Sequence, residues 1–391
     1  MRPMRCPNLL VALSLLACGG PAPRPTPADA VRAANDLPAP PQVPPEDGVE
    51  SMNTEYYLGS AEQEAASFKA FAAQMQALQT RISQERGQPM ARGFHAKHHV
   101  CLYGTFELDP QRDPRTRHGV FSAEYAAWPV WVRFSNGVGW IQNDDELDAR
   151  GMAVKLMGVP GEKLMPDEQG TQDFLMTNSP TPVGKNAVEF MDFAHANANG
   201  LASGLFFGAR HPRSGAPALA RTGAIDSLLN ERFWSGGAYH LGAHQAVKFS
   251  TRPCPGTLKR EPLDDDSPNY LRDDLLAAAN AGICFTFGVQ LQADPERTPI
   301  ENAAVEWDES TSPFIPLGRI VLPPQDAAAA GLDTLCGQLS FNPWHGLPAH
   351  QPMGHINRAR KFVYDASRAH RSGGREPKGF EGFGPAPASS P

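Results

Sequence analysis

Between Arg92 and Pro323 the apolar residues come in short runs that alternate or cluster with a period near two. Segments such as VCLYGTFEL, PVWVRFS, GMAVKLM, AVKFST, CFTFGVQLQ and GRIVLP are β-branched or aromatic, and Gly, Pro, Asp and Asn separate them. That pattern predicts strands, and so many over this length predict a barrel or sandwich. On either side the period shifts to three and four. Phe68, Phe71, Met75, Leu78 and Ile82 return to one helical face behind the capping-box pair Ser60 and Gln63, which predicts an amphipathic helix ending near Gly87. Helical stretches interrupt the strands at NAVEFMDFAHANA and YLRDDLLAAANA. A last one covers residues 355 to 371, HINRARKFVYDASRAHR, and places Ile356, Arg360, Tyr364, Ser367 and Arg371 on one side. Ala359, Phe362, Ala366 and Ala369 fall on the other.

Composition narrows this picture. A chain of 391 residues, 41% hydrophobic, can bury a large core as one domain or two. Its formal net charge is -7 and no basic run is present, which leaves no case for nucleic-acid binding. The 38 prolines and 36 glycines mark many turns, and a good share of the prolines lies in the two tails.

The first 18 residues read as a targeting segment. A positive start, Met1 to Arg5, precedes the apolar run Leu9 to Leu16, and Leu15-Leu16-Ala17-Cys18-Gly19 resembles the lipobox of bacterial lipoproteins. Cys18 is then the expected lipidation site; the plain alternative is an ordinary signal peptide with a chance Cys. The run is too short for a transmembrane helix, so the only membrane contact expected is the lipid anchor. Gly19 favours the outer membrane over the inner, placing the protein in the bacterial cell envelope. Residues 19–55 form a Pro-rich tether, 56–372 the folded domain, and 373–391 a disordered tail. Cys101, Cys254, Cys284 and Cys336 remain, as two disulfides in any of three pairings or as buried thiols.

Polar residues sit where strands would otherwise be apolar: Arg92-Gly-Phe-His95-Ala-Lys97, Arg133-Phe-Ser135-Asn136, Asp148-Ala-Arg150-Gly-Met-Ala-Val-Lys155, and Asp173-Phe-Leu-Met-Thr177-Asn178-Ser-Pro180. On the last helix, Arg360 and Arg371 flank the Tyr364 phenol, a face suited to an anionic, iron-bearing partner. The plain alternative is a solvated basic face. Taken in order, these motifs resemble the haem catalase family, and in particular its small catalase-related peroxidases. The resemblance runs from about Arg92 to Arg371. It implies an α+β fold, an eight-stranded antiparallel β-barrel core with surrounding helices, and a buried b-type haem. By the same resemblance His95 is the distal acid–base residue, Ser135 its hydrogen-bond partner and Tyr364 the axial ligand to haem iron. Arg360 supports that phenolate, Arg92, Arg133 and Arg371 pair with haem propionates, and Phe190 stacks over the porphyrin.

The sequence departs from the family in three places. Where the family has Asn-Asn-Thr-Pro, alignment through Pro180 puts Thr177 and Asn178, so either Asn178 turns into the distal pocket or Thr177 replaces its amide. Phe94 stands where a small residue precedes the distal His. Pro182 replaces one ring of a phenylalanine cluster. These features imply a haem-dependent hydroperoxidase that takes hydrogen peroxide or an organic hydroperoxide and an unspecified electron donor. The alternatives are an isomerase of fatty acid hydroperoxides on the same scaffold, and a haem-binding lipoprotein without turnover.

Overall fold

The computed structural model describes Glu55 and residues 59–372, apart from 123–126, 167–169, 216–221 and 262–266. The targeting segment, Cys18, most of the tether and the C-terminal tail lie outside the described residues. Among the described residues no helix is long and apolar enough to cross a membrane.

Eight strands close into an antiparallel barrel. They are β1 (His98–Leu108), β2 (Ala127–Asn136), β3 (Arg150–Met157), β4 (Thr171–Thr177), β5 (Phe233–Trp234), β7 (Ala246–Pro253), β8 (Ile283–Leu291) and β9 (Ile315–Leu322). Each pairs with the next in that order, and β9 returns to β1. A ninth strand, β6 (Tyr239–His240), extends β7 outside the ring. Closure follows from the alternation, because every second side chain must leave water at once. Val132 and Phe134 of β2, Met152 and Val154 of β3, and Phe174 and Met176 of β4 join Phe249 and Phe287 in one buried cluster.

The helices cover the outer face. Helix α1 (Ala61–Arg86) starts at Ser60, whose side chain accepts from Gln63 N while the Gln63 side chain accepts from Ser60 N; Gly87 ends it with φ 62°, a left-handed cap that suits glycine. Helices α2 (Ala187–Ala198) and α3 (Leu201–Arg210) follow β4; α4 (Tyr270–Ala279) precedes β8, and α5 (Leu332–Gln338) follows β9. The last helix, α6 (His355–Ser372), packs on α1 through Phe362 against Phe68, ring centres 5.8 Å apart, and through the Ala366 carbonyl, which accepts from Gln76 Nε2. The rest of the Ala/Phe side does not pack on α1. Ala369 is exposed and Ala359 borders the cavity, because α1 touches α6 along a narrower stripe than the Ala/Phe pattern suggests.

Much of the unusual polarity in the strands is scaffolding. Lys97 Nζ reaches Asp144 at 2.7 Å, and Lys155 reaches Asp173 at 3.0 Å, both pairs buried. Asp148 accepts from the Gly137 and Val138 amides, which fixes the turn after β2. The cysteines form two bridges, Cys101–Cys336 and Cys254–Cys284, each with Cα atoms 5.5 Å apart.

Candidate active site

A cavity of about 720 Å³ lies against the outer face of β2, β3 and β4. Ser135, Gly151 and Thr177 are register partners across these three strands, so they share one face. Two residues along each strand, Arg133, Ala153 and Leu175 form the next row of the same wall. Helix α6 contributes Ile356, Arg360, Tyr364, Ser367 and Arg371, the five residues that its period puts on one side. His95, Arg92, Phe94, Thr177, Asn178 and Phe190 also border the cavity. The structure therefore brings every described candidate residue to one place.

His95 is held there by backbone and side chain together. Its φ is 57°, the one positive value outside glycine among the described residues, and such a conformation persists only when neighbours fix it. Its N–H donates to the Gly137 carbonyl at 2.8 Å, and its own carbonyl accepts from Arg133 Nη2 at 2.8 Å. The ring Nδ1 shares a hydrogen bond of 3.0 Å with Ser135 Oγ. Gly151 permits this contact, because a Cβ there would lie 2.5 Å from Nδ1 and 2.8 Å from Ser135 Oγ. Removal from water, with the Arg133 and Arg360 charges added, pushes the His95 pKa down to about 3. The imidazole is neutral at any physiological pH.

On α6, Arg360 Nη2 donates to the Tyr364 hydroxyl at 3.0 Å, and Nη1 donates to Asn357 Oδ1 at 3.0 Å. Burial opposes the Arg360 charge, yet the Tyr364 and Tyr239 phenols more than offset it and hold its pKa above the ordinary arginine value. Asn357 is itself fixed, donating through Nδ2 to the Ala238 carbonyl at 2.8 Å. A phenol held by a buried guanidinium can carry negative charge toward a metal.

Three more guanidiniums gather at the cavity. Arg92 Nη1 donates to the Gly337 carbonyl at 3.2 Å and Nη2 to the Leu339 carbonyl, while Arg371 Nη1 also donates to Gly337. Arg133 is 2% exposed and its Nε is buried without a hydrogen-bond partner. Burial and, after it, the Arg371 charge push the Arg133 pKa down to about 9. A buried, incompletely satisfied cation beside a second cation is the arrangement that an anionic ligand would relieve. The residues present thus fit an iron porphyrin with two carboxylates: a phenol for the metal, arginines for the acids, and an apolar wall for the ring.

Thr177, Asn178, Phe94 and Pro182 all border the cavity. Asn178 Oδ1 accepts from the Arg150 amide at 2.8 Å and Nδ2 donates to Glu231 at 3.0 Å, so its carboxamide braces the end of β4. Thr177 shares the wall with Ser135 and Gly151, and its hydroxyl has a long contact of 3.4 Å with the Ser179 carbonyl. Phe94 packs 5.1 Å from Phe190 and 6.4 Å from Phe193, so the extra ring joins an aromatic group at the cavity edge. Pro182 borders the same edge.

Residues 62–205 match the family model for catalase. That stretch is similar to catalases. Its relatives include the peroxisomal catalase of Toxoplasma gondii, 23% identical over 305 residues, with 69% of this chain and 57% of that protein covered. The chain thus spans little more than half the length of that catalase. Among solved structures, a fungal catalase aligns at a TM-score of 0.59 with 18% identity over 86% of this chain and 71% of that one. Catalase A from Saccharomyces cerevisiae aligns at 0.59 with 19% identity, covering 84% and 71%. These likenesses give the catalase fold, a closed barrel with helices around it. Three neighbours of the candidate residues carry no motif signal of their own: Gly151, Asn357 and Phe193. Phe193 was recoverable, since it stands one helical turn beyond Phe190; the packing at Gly151 was not, because it arises across strands.

Proposed function

We propose that the protein is a haem-dependent hydroperoxidase, a catalase-related peroxidase that reduces hydrogen peroxide or an organic hydroperoxide in defence against oxidative stress. The observation that carries this reading is a neutral imidazole, His95 held by Ser135, bordering the same cavity as a phenol held by Arg360. Tyr364 would hold haem b through its oxygen, Arg360 would stabilise the phenolate, Arg92, Arg133 and Arg371 would take the two carboxylates, and Phe190 would pack on the ring. When bound, that group supplies the redox chemistry. With Nδ1 engaged by Ser135, His95 Nε2 takes a proton from the hydroperoxide and returns it to the far oxygen, which leaves as water or alcohol. A haem carrier needs no such base.

Peroxidase is favoured over catalase because Asn178 is committed to Arg150 and Glu231, which leaves Thr177 without a neighbouring amide to hold a second peroxide. The test is the absorption spectrum of purified protein before and after peroxide, with oxygen evolution followed in parallel. We expect a ferric phenolate spectrum that peroxide perturbs, oxidation of a reducing donor, and little oxygen. Tyr364→Phe should remove the phenolate bands and weaken haem retention; an unchanged spectrum would reassign the ligand.

One observation favours a second reading. Leu147 and Leu205 border the cavity and are each 65% exposed, an apolar mouth that suits a fatty acid hydroperoxide and its isomerisation. An allene oxide or its hydrolysis product would establish that reading, and an alcohol would exclude it. Export with lipidation at Cys18 belongs to the same proposal. Two disulfides support an oxidising compartment, and fatty-acid labelling that survives Cys18→Ser would count against the anchor.

A further inference from the structure

The Cys101–Cys336 bridge lies beside the arginine group, and the chemistry proposed above makes no use of it. Cys101 is the register partner of Arg133 on the neighbouring strand. Cys336 immediately precedes Gly337, whose carbonyl accepts from both Arg92 and Arg371, and the Leu339 carbonyl accepts from Arg92. Each of the three guanidiniums therefore meets the bridge, either as a strand neighbour or through carbonyls just beyond it. Both cysteines are 1% exposed, in a small cluster with Trp131, Leu335 and Leu339 that is separate from the barrel interior.

Other polar ties hold α5 weakly. Asp333 accepts from His98 at 3.2 Å and from Arg272 at 3.0 Å, but that carboxylate is 63% exposed, and exposed pairs contribute little. The covalent link and the apolar cluster fix the Gly337 and Leu339 carbonyls from the α5 side, and beyond them the Asn342 N–H donates to buried Asp173 at 3.0 Å. Arg133 and Arg371 carry like charges close together, and the Gly337 and Leu339 carbonyls help hold Arg371 and Arg92 against that repulsion.

We propose that the Cys101–Cys336 disulfide is the positioning element of the anion-binding end of the cavity: once formed, it presets Arg92, Arg133 and Arg371 for a dicarboxylate, so that oxidation of the pair precedes tight capture of haem. The inference rests on the haem reading above. In forming the bridge, the two thiols release two protons and two electrons to an incoming disulfide of a thiol–disulfide oxidoreductase, which is reduced to two thiols as the Cys101–Cys336 bond closes.

The test compares full-length wild type, a Cys101→Ala/Cys336→Ala variant and a control Cys254→Ala/Cys284→Ala variant, each confirmed as folded by circular dichroism. Haemin and its dimethyl ester are titrated by the Soret band. Wild type and control should bind haemin about tenfold or more tightly than the variant, and the variant should lose the preference for the diacid over the diester. A merely structural bridge would weaken both ligands alike. An undiminished diacid preference in the variant would overturn the inference alone, whereas absence of haemin binding by oxidised wild type would overturn the haem reading and this inference with it. Should the variant not fold, wild type reduced under native conditions replaces it, with the same two outcomes.

Discussion

The His95 ring is kept neutral by removal from water and by the Arg133 and Arg360 charges, while Ser135 takes one nitrogen and the backbone on both sides fixes its direction. A base so depressed remains available far into acid. If the protein is the haem hydroperoxidase proposed, His95→Ala should lower kcat/KM for peroxide by about 10²–10⁴ with haem still bound, measured by stopped-flow absorbance; turnover at the wild-type rate would remove the ring from the reaction. In wild type the acid limb of that rate should lie well below the ordinary histidine range near 6.5. At this scale the sequence was readable where a motif names its own residues, as for His95, Ser135 and Tyr364. It was silent where the partner is distant. Glu231 stands far along the chain from Asn178, and only the fold shows that it claims the amide.

Strands β2, β3 and β4 act as one wall because Ser135, Gly151 and Thr177 stand in register. The middle position must be small. Gly151→Ala would put a methyl 2.5 Å from His95 Nδ1, which neither ring nor strand can absorb without moving. We expect the His95–Ser135 bond to break and peroxide activation to slow about tenfold or more, with the barrel intact; an unchanged rate would show that the ring can shift harmlessly. Element periods were legible wherever they ran for several residues, as in α1, α6 and β1. They failed for β5 and β6, two residues each, because no period exists in so short a segment. They also failed for β4, whose buried Asp173 disguises a strand until Lys155 is seen beside it.

Across the whole molecule, buried histidines tie stability to pH. His95, His99 and His350 are pushed to about 3, and His98 and His355 to about 4, chiefly by desolvation. Unfolded histidine titrates near 6.5. Between that value and about 4 the unfolded chain therefore binds protons that the folded one refuses, so the stability these histidines contribute is full above 6.5 and is lost as pH falls. Each contributes up to about 1.4 kcal/mol per pH unit in that window. Asp148 works against them, since burial raises its pKa to about 6 and the folded state takes its proton first. Five groups outweigh one. The urea midpoint should fall steeply from pH 7 to pH 5, and a flat profile would mean that the folded protein accepts those protons. Charge and composition carried none of this, because which histidines are buried is decided by the fold.

The ring of strands is also unequal around its circumference. Strand β5 joins β4 through a single register pair, Thr177 with Trp234, and β7 through two, whereas β1 and β2 are paired along nearly their whole length. A closed hoop yields at its thinnest join. Here that join lies next to Thr177, on the cavity wall, so a brief parting of the hoop would loosen the pocket on that side and leave the arginine end, beside the Cys101–Cys336 bridge, undisturbed.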